Sequence, residues 1–166
     1  MITVALTKSE VFMAAHVGMM RRVDSLFKNY NDTVLDRKRH ANVSEWAFDI
    51  DGACAELAVA KAMGVHWSGH IGSFKEPDVS QIHVRSTSRK DGHLIIRDND
   101  PENYTYMLVI TECPNYTIVG GISGKKAKAL PKKNADENGS GAWWISQESL
   151  HNPELIFNYI KGNFEK

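Results

Sequence analysis

Pro77-Asp78-Val79-Ser80-Gln81-Ile82-His83-Val84-Arg85 joins a Pro-Asp turn to an alternating strand. Side chains alternate faces along a strand, so Ile82 and Val84 point one way and His83 and Arg85 the other. A carboxylate, an imidazole and a guanidinium thereby gather at one edge of a sheet. Such a set is a candidate metal and phosphate site, and the rest of the chain is its scaffold.

Downstream, the strand is expected over 81–88. Arg89-Lys90-Asp91-Gly92 carries the Asp-Gly hairpin signal, with a return strand at His93–Arg97. Asp98-Asn99-Asp100-Pro101 then breaks the chain, and Asp98 and Asp100 read as turn residues. Tyr106–Thr111 is a near-continuous apolar run, as expected of a central strand buried on both faces. Cys113-Pro114-Asn115 turns the chain, and Tyr116–Ile122 pairs back. The short connections predict a four-strand meander.

Upstream, Thr7 with Glu10 forms a capping box. A helix over 8–28 follows, with Val11, Phe12, Ala15, Met19, Val23, Leu26 and Phe27 at helical spacing. Arg21, Arg22 and Lys28 take its other side, and Met13, Met19 and Met20 read as core filling. Residues 2–6 are a short strand or an apolar lead-in. Ser44 can cap a second, alanine-rich helix over 45–63 that stops at Gly64. Glu56 sits there among apolar neighbours, either on a narrow exposed stripe or aimed inward at a cation. The loop over 65–77 carries His66 and His70, which read as solvated rather than ligating.

Beyond the sheet lies a short lysine-rich helix or turn at 123–130, with Lys125, Lys126 and Lys128. A polar loop over 131–141, with Lys132 and Lys133, leads to a short strand at 142–145 and a helix at 153–160. The lysines are either a solvated face or a track along a nucleic-acid backbone, as is the basic run Arg37–His40. Trp143 and Trp144 alternate faces, so at most one could stack on a base and at least one belongs in the core.

The 166 residues suit one domain, 1–166. Lysine plus arginine equals aspartate plus glutamate, 20 against 20, so any nucleic-acid contact rests on local patches rather than on a global field. Cys54 and Cys113 form no CxxC pair and read as reduced thiols. With neither a leader-like start nor a membrane-length apolar run, the expectation is a cytoplasmic protein.

The order of helix with Glu56, Pro-Asp turn, and strand with an acid-any-basic slot resembles the PD-(D/E)XK nuclease superfamily. The resemblance covers roughly residues 45–122. It implies an α+β, α/β/α-like architecture: a central mixed sheet of four to five strands flanked by helices, restriction-endonuclease-like. Glu56 matches the family's helical acid, Asp78 its Pro-Asp acid, and Arg85 its basic residue. His83 stands where the family has aspartate or glutamate. The implied catalytic set is Glu56, Asp78, His83 and Arg85, with Glu56, Asp78 and His83 as ligands of Mg2+ or Mn2+. The implied activity is metal-dependent hydrolysis of phosphodiester bonds, in DNA first, by a small nuclease of the kind found in phage or mobile elements.

Two departures shape that expectation. Imidazole favours manganese over magnesium, a hard oxygen-seeking ion. Arginine grips phosphate and stabilises developing charge, but it is effectively never deprotonated and makes a poor base. Arg89, Lys125, Lys126 and Lys128 are the expected contacts to nucleic acid, and a homodimer is a further expectation. The alternatives are a catalytically impaired module on the same fold that binds nucleic acid or a protein partner, and an unrelated α+β protein.

Overall fold

A computed structural model describes residues 1–27, 45–72, 76–132 and 141–164. Lys28, the Arg37–His40 run, the Ser44 cap, Lys133 and most of the 131–141 loop lie outside the described residues.

The first helix, α1, spans Lys8–Phe27 and opens with the expected capping box. Thr7 N–H donates to Glu10 Oε2 at 2.7 Å, and Glu10 N–H donates to Thr7 Oγ1 at 3.3 Å. The second, α2, spans Glu45–Met63. Its second half, from Ala53 to Met63, is mostly buried because it lies between α1 and the sheet, which is why alanine and cysteine suit it. Gly18 of α1 sits where a Cβ would lie 2.6 Å from Asp49 O and Ile50 Cα, so only hydrogen allows this separation of the helices.

Lys61, in the last turn of α2, donates to Glu10 Oε2 at 2.7 Å and to Ala5 O at 3.1 Å. The Lys61 ammonium and the Thr7 N–H hold the Glu10 carboxyl down at about 2, from an ordinary 4.5. A depressed carboxyl contributes stability above its unfolded pKa, which is lost as pH falls toward the folded value. Glu10→Gln is therefore expected to lower the urea midpoint at pH 7, by an exposed-pair cost of about 0.5 kcal/mol. That gap should shrink by pH 2. A gap unchanged between pH 7 and pH 2 would refute the pairing.

The main sheet has the strand order β1-β5-β4-β2, from β1 (Ile2–Ala5), β2 (Ile82–Thr87), β4 (Thr105–Glu112) and β5 (Asn115–Ser123). β4 and β5 form the expected hairpin, and β4 is buried at Tyr106–Val109 with a neighbour on each side. β1 is a strand, antiparallel to β5. The meander is not formed. β2 pairs parallel to β4, with Ile82 opposite Thr105 and Thr87 opposite Ile110. The Asp-Gly turn after β2 leads to β3 (Leu94–Ile96), which leaves the main sheet and pairs antiparallel with β6 (Trp143–Ile145) as a separate ribbon. A parallel neighbour requires a crossover, and here the chain between β2 and β4 makes it across the second face of the sheet.

Two apolar layers result. On one face Ile82, Val84, Met107, Val109 and Ile118 pack with α2 and with Phe157 and Ile160 of the last helix, α4 (Pro153–Phe164). On the other, Tyr106, Leu108 and Ile122 pack under Leu94, Ile96, Trp143 and Ile145 of the ribbon and Ala127 of the short helix α3 (Gly124–Lys128). This is an α+β fold: a mixed four-stranded sheet with one parallel pair, a two-stranded ribbon and, among the described residues, four α-helices. No helix of the described residues is long and apolar enough to cross a membrane.

α1 carries two corrections. Arg21 and Arg22 do not face solvent. Arg22 is buried, with Glu45 and Asp49 each at 2.7 Å, and Arg21 turns toward α2. Met13, Met19 and Met20 do not fill the core and are exposed. The helix buries its small-residue side, Ala14 and Gly18, because only that side permits close approach to α2.

Candidate functional site

β2 is one of the two edge strands of the main sheet, with β4 as its neighbour. The turn before it is tight: Val79 and Ile82 exchange both backbone hydrogen bonds, at 3.1 and 2.9 Å, and Ser80 takes φ of 56°. This turn folds Asp78 back over the strand, where its Oδ2 accepts Val84 N–H at 2.7 Å. The same oxygen lies 3.7 Å from His83 Nδ1.

His83 is buried and wedged between two rings, Tyr104 edge-on at 5.0 Å and Tyr106 stacked at 5.3 Å. Arg85 lies 5.5 Å from the centroid of the same Tyr106 ring. The alternation along β2 is as expected: Ile82 and Val84 join the helix-side core, and His83 and Arg85 meet Tyr106 on the other. Arg85 Nη2 donates to Asp100 Oδ1 at 2.8 Å, and Asp100 Oδ2 accepts Arg97 N–H at 2.9 Å. Asp100 is thus a turn residue that also steadies the strand's guanidinium. Two buried nitrogens here, His83 Nε2 and Arg85 Nε, have no hydrogen-bond partner among the described residues. Buried polar atoms rarely stay unpaired, but both nitrogens are enclosed, so an outside acceptor reaches them only when the side chains around them move.

Glu56 resolves inward. Arg21 Nη1 and Nη2 donate to its two oxygens at 2.6 and 2.8 Å, and Trp67 Nε1 adds a bond at 3.1 Å. Arg21 Nε donates to His70 O at 3.1 Å. The 65–72 loop thus serves through an indole and a carbonyl. The His70 ring meets Ser68 Oγ at 3.0 Å. Burial pushes the Glu56 carboxyl upward and the nearby Asp78 charge adds to this, while the Arg21 fork and the indole pull it down. Glu56 and Asp78 therefore share one electrostatic neighbourhood. Arg21 was hidden in the sequence, which left Glu56 either on an exposed stripe or aimed at a cation, because the two residues lie 35 apart.

The expected ligand set is brought together in part. Asp78 and His83 meet, while Glu56 is committed to Arg21 and Trp67. Among the described residues, no group of three or more His, Cys, Asp or Glu side chains is placed to hold a metal ion. Magnesium demands near-octahedral oxygen ligation. As arranged, one carboxylate beside one imidazole does not fit that demand, and a guanidinium already supplies positive charge at Glu56.

Of the expected basic contacts, those of α3 are tied to this site through the backbone of its first turn. Gly124 N–H donates to Tyr104 O at 2.9 Å and Lys125 N–H to Glu102 O at 3.0 Å, which seats α3 beside the tyrosine that abuts His83. Lys125 and Lys126 are exposed. Lys128 donates to Asp98 O at 2.9 Å, and Lys132 pairs with the Asp98 carboxylate at 2.6 Å and lies over the Trp143 ring at 4.6 Å. Trp143 is buried and donates to Leu130 O at 2.8 Å. Arg89 is exposed and pairs with Asp91 at 3.1 Å. The chain matches no protein-family model, no curated protein and no solved structure.

Proposed function

We propose that this protein binds the phosphate backbone of nucleic acid, DNA first, through the edge-strand site and the lysines of α3, and that it does so without metal-dependent cleavage. The observation that carries the reading is the unbroken run of contacts from Asp78 through His83 and Tyr104 to α3. That route leads from the strand that carries Arg85 to α3, whose Lys125 and Lys126 are exposed. Phosphate oxygens accept hydrogen bonds and attract cations, so they suit both parts of that route. Binding rather than cutting is favoured by Arg21, which occupies both oxygens of the acid that the nuclease resemblance assigns to metal.

Net charge is zero, so binding is modest and salt-dependent. A labelled duplex read by fluorescence anisotropy is expected to give a dissociation constant on the order of micromolar at low salt. EDTA should leave it unchanged. Lys125→Glu with Lys126→Glu should weaken binding about 10-fold or more and lower the salt slope by about two. Failure to bind, or indifference to both lysines, would refute the interface.

The metal-dependent nuclease remains the competing reading. Its own support is the Asp78–His83 pair at 3.7 Å, and it requires Arg21 to leave Glu56. Manganese-dependent nicking of plasmid DNA, lost in Asp78→Ala and Glu56→Ala, would establish cutting and overturn binding alone.

A further inference from the structure

The outward face of α1 is largely apolar, interrupted by exposed His16 and, at its start, by Lys8 and Ser9. Phe12, Met13, Met19, Met20, Leu26 and Phe27 are all exposed, Phe12 at 75% and Phe27 at 85%. They are not scattered. Phe12, His16, Met19, Val23 and Leu26 follow one another at intervals of four, three, four and three residues. That is the spacing of a heptad seam, in which alternate intervals of three and four hold one line of side chains toward a partner helix. Met13, Met20 and Phe27 flank the line seven residues apart. The opposite face, with Ala14, Gly18 and Arg22, is buried against α2. The helix therefore has one partner already and a second seam on its outside.

We infer that this seam pairs with its counterpart on a second copy of the chain, antiparallel, about a two-fold axis at Met19. The inference does not rest on the nucleic-acid reading. Three features favour a second copy. Phe12 and Leu26 lie equally far from Met19 along the helix, so an antiparallel seam is its own complement, as a two-fold interface must be. Pairing in this sense sets Phe12 against Leu26 and Met19 against Met19, whereas parallel pairing would set His16 against His16. Six large apolar side chains at these exposures present on the order of 600 Å² per copy, or about 1,200 Å² for two, the lower bound of stable interfaces. An apolar patch of that size on a soluble protein ordinarily marks an interaction surface. The seam carries no charged residue, so no charge opposes self-association.

The test is the mass of the full chain in solution, by light scattering across micromolar concentrations. Twice the 18.6 kDa chain mass is expected. Met19→Glu places two carboxylates together at the axis, and the dimer dissociation constant should rise 100-fold or more. Because Met19 is exposed, the helical circular dichroism should not change. Orientation is read in a Cys113→Ser background with oxidised glutathione. Phe12→Cys mixed with Leu26→Cys should form the mixed disulfide, and Phe12→Cys alone should not form a disulfide-linked dimer. A monomer at every concentration, a dimer indifferent to Met19→Glu, or ready self-linking of Phe12→Cys would overturn the inference.

Discussion

Arg21→Ala is expected to destabilise the fold by about 3–5 kcal/mol, the cost of leaving one charge of a buried pair uncompensated. Arg21 and Glu56 meet through two bonds of 2.6 and 2.8 Å, and the Glu56 side chain is 7% exposed. Without the guanidinium, the carboxylate keeps one indole donor and faces Asp78 unopposed. Replacing both partners with apolar residues removes the charge and the need for it, so Arg21→Met with Glu56→Met should cost much less than the sum of the single changes. The pH dependence has a definite sign. In Arg21→Ala, burial raises the Glu56 carboxyl further above its ordinary 4.5, so folding takes up a proton. The deficit should therefore be smallest below pH 4.5 and grow as pH rises. Urea denaturation of the three variants at pH 4 and pH 7 measures this. A loss under 1 kcal/mol for Arg21→Ala, or a deficit that falls with rising pH, would show that the pair does not hold Glu56.

Gly18→Ala carries the second large effect. Alanine is the better helix former, so propensity alone favours it by about 1 kcal/mol. Packing decides otherwise. The added methyl would lie 2.6 Å from Asp49 O and Ile50 Cα, which are backbone atoms of α2 and cannot rotate away. The helices must part, and Arg22 must hold Glu45 and Asp49 across a wider gap. Overpacking of this kind costs about 1–3 kcal/mol beyond the propensity gain. Gly52 in α2 is the control, because nothing lies within 4 Å of its Cβ direction. Gly52→Ala should stabilise by about 0.5–1 kcal/mol. If the two substitutions shift the thermal midpoint in the same direction, the close approach at Gly18 is not what limits this helix pair.

Much of the local structure was legible. The capping box at Thr7 and Glu10, the stop at Gly64, the hairpin at Cys113–Asn115 and the alternation of His83 and Arg85 are short-range patterns that dihedral preference and side-chain period impose. The Asp91-Gly92 turn misled because a turn signal states that the chain reverses, not which strand it then meets. β4 offers apolar side chains on both faces and hydrogen-bonding groups on both edges. One edge goes to β5, and β2 satisfies the other in parallel, while Leu94 and Ile96 cover the second face. α1 misled for a related reason. Its apolar residues run around much of the helix, so periodicity could not say which side turns inward. The smallest residues won, because helix separation is set by backbone approach rather than by hydrophobicity.

By itself the sequence determined most of the elements and the side-chain alternation that places His83 beside Arg85, and it left Glu56 between an exposed stripe and an inward cation. Tertiary structure alone decided that Arg21 is the partner of Glu56, that β2 lies parallel at the sheet edge, and that Met13, Met19 and Met20 face outward. The reason is range. Propensity and period act over a few residues, whereas Arg21 and Glu56 are 35 residues apart and meet only because Gly18 lets their helices touch.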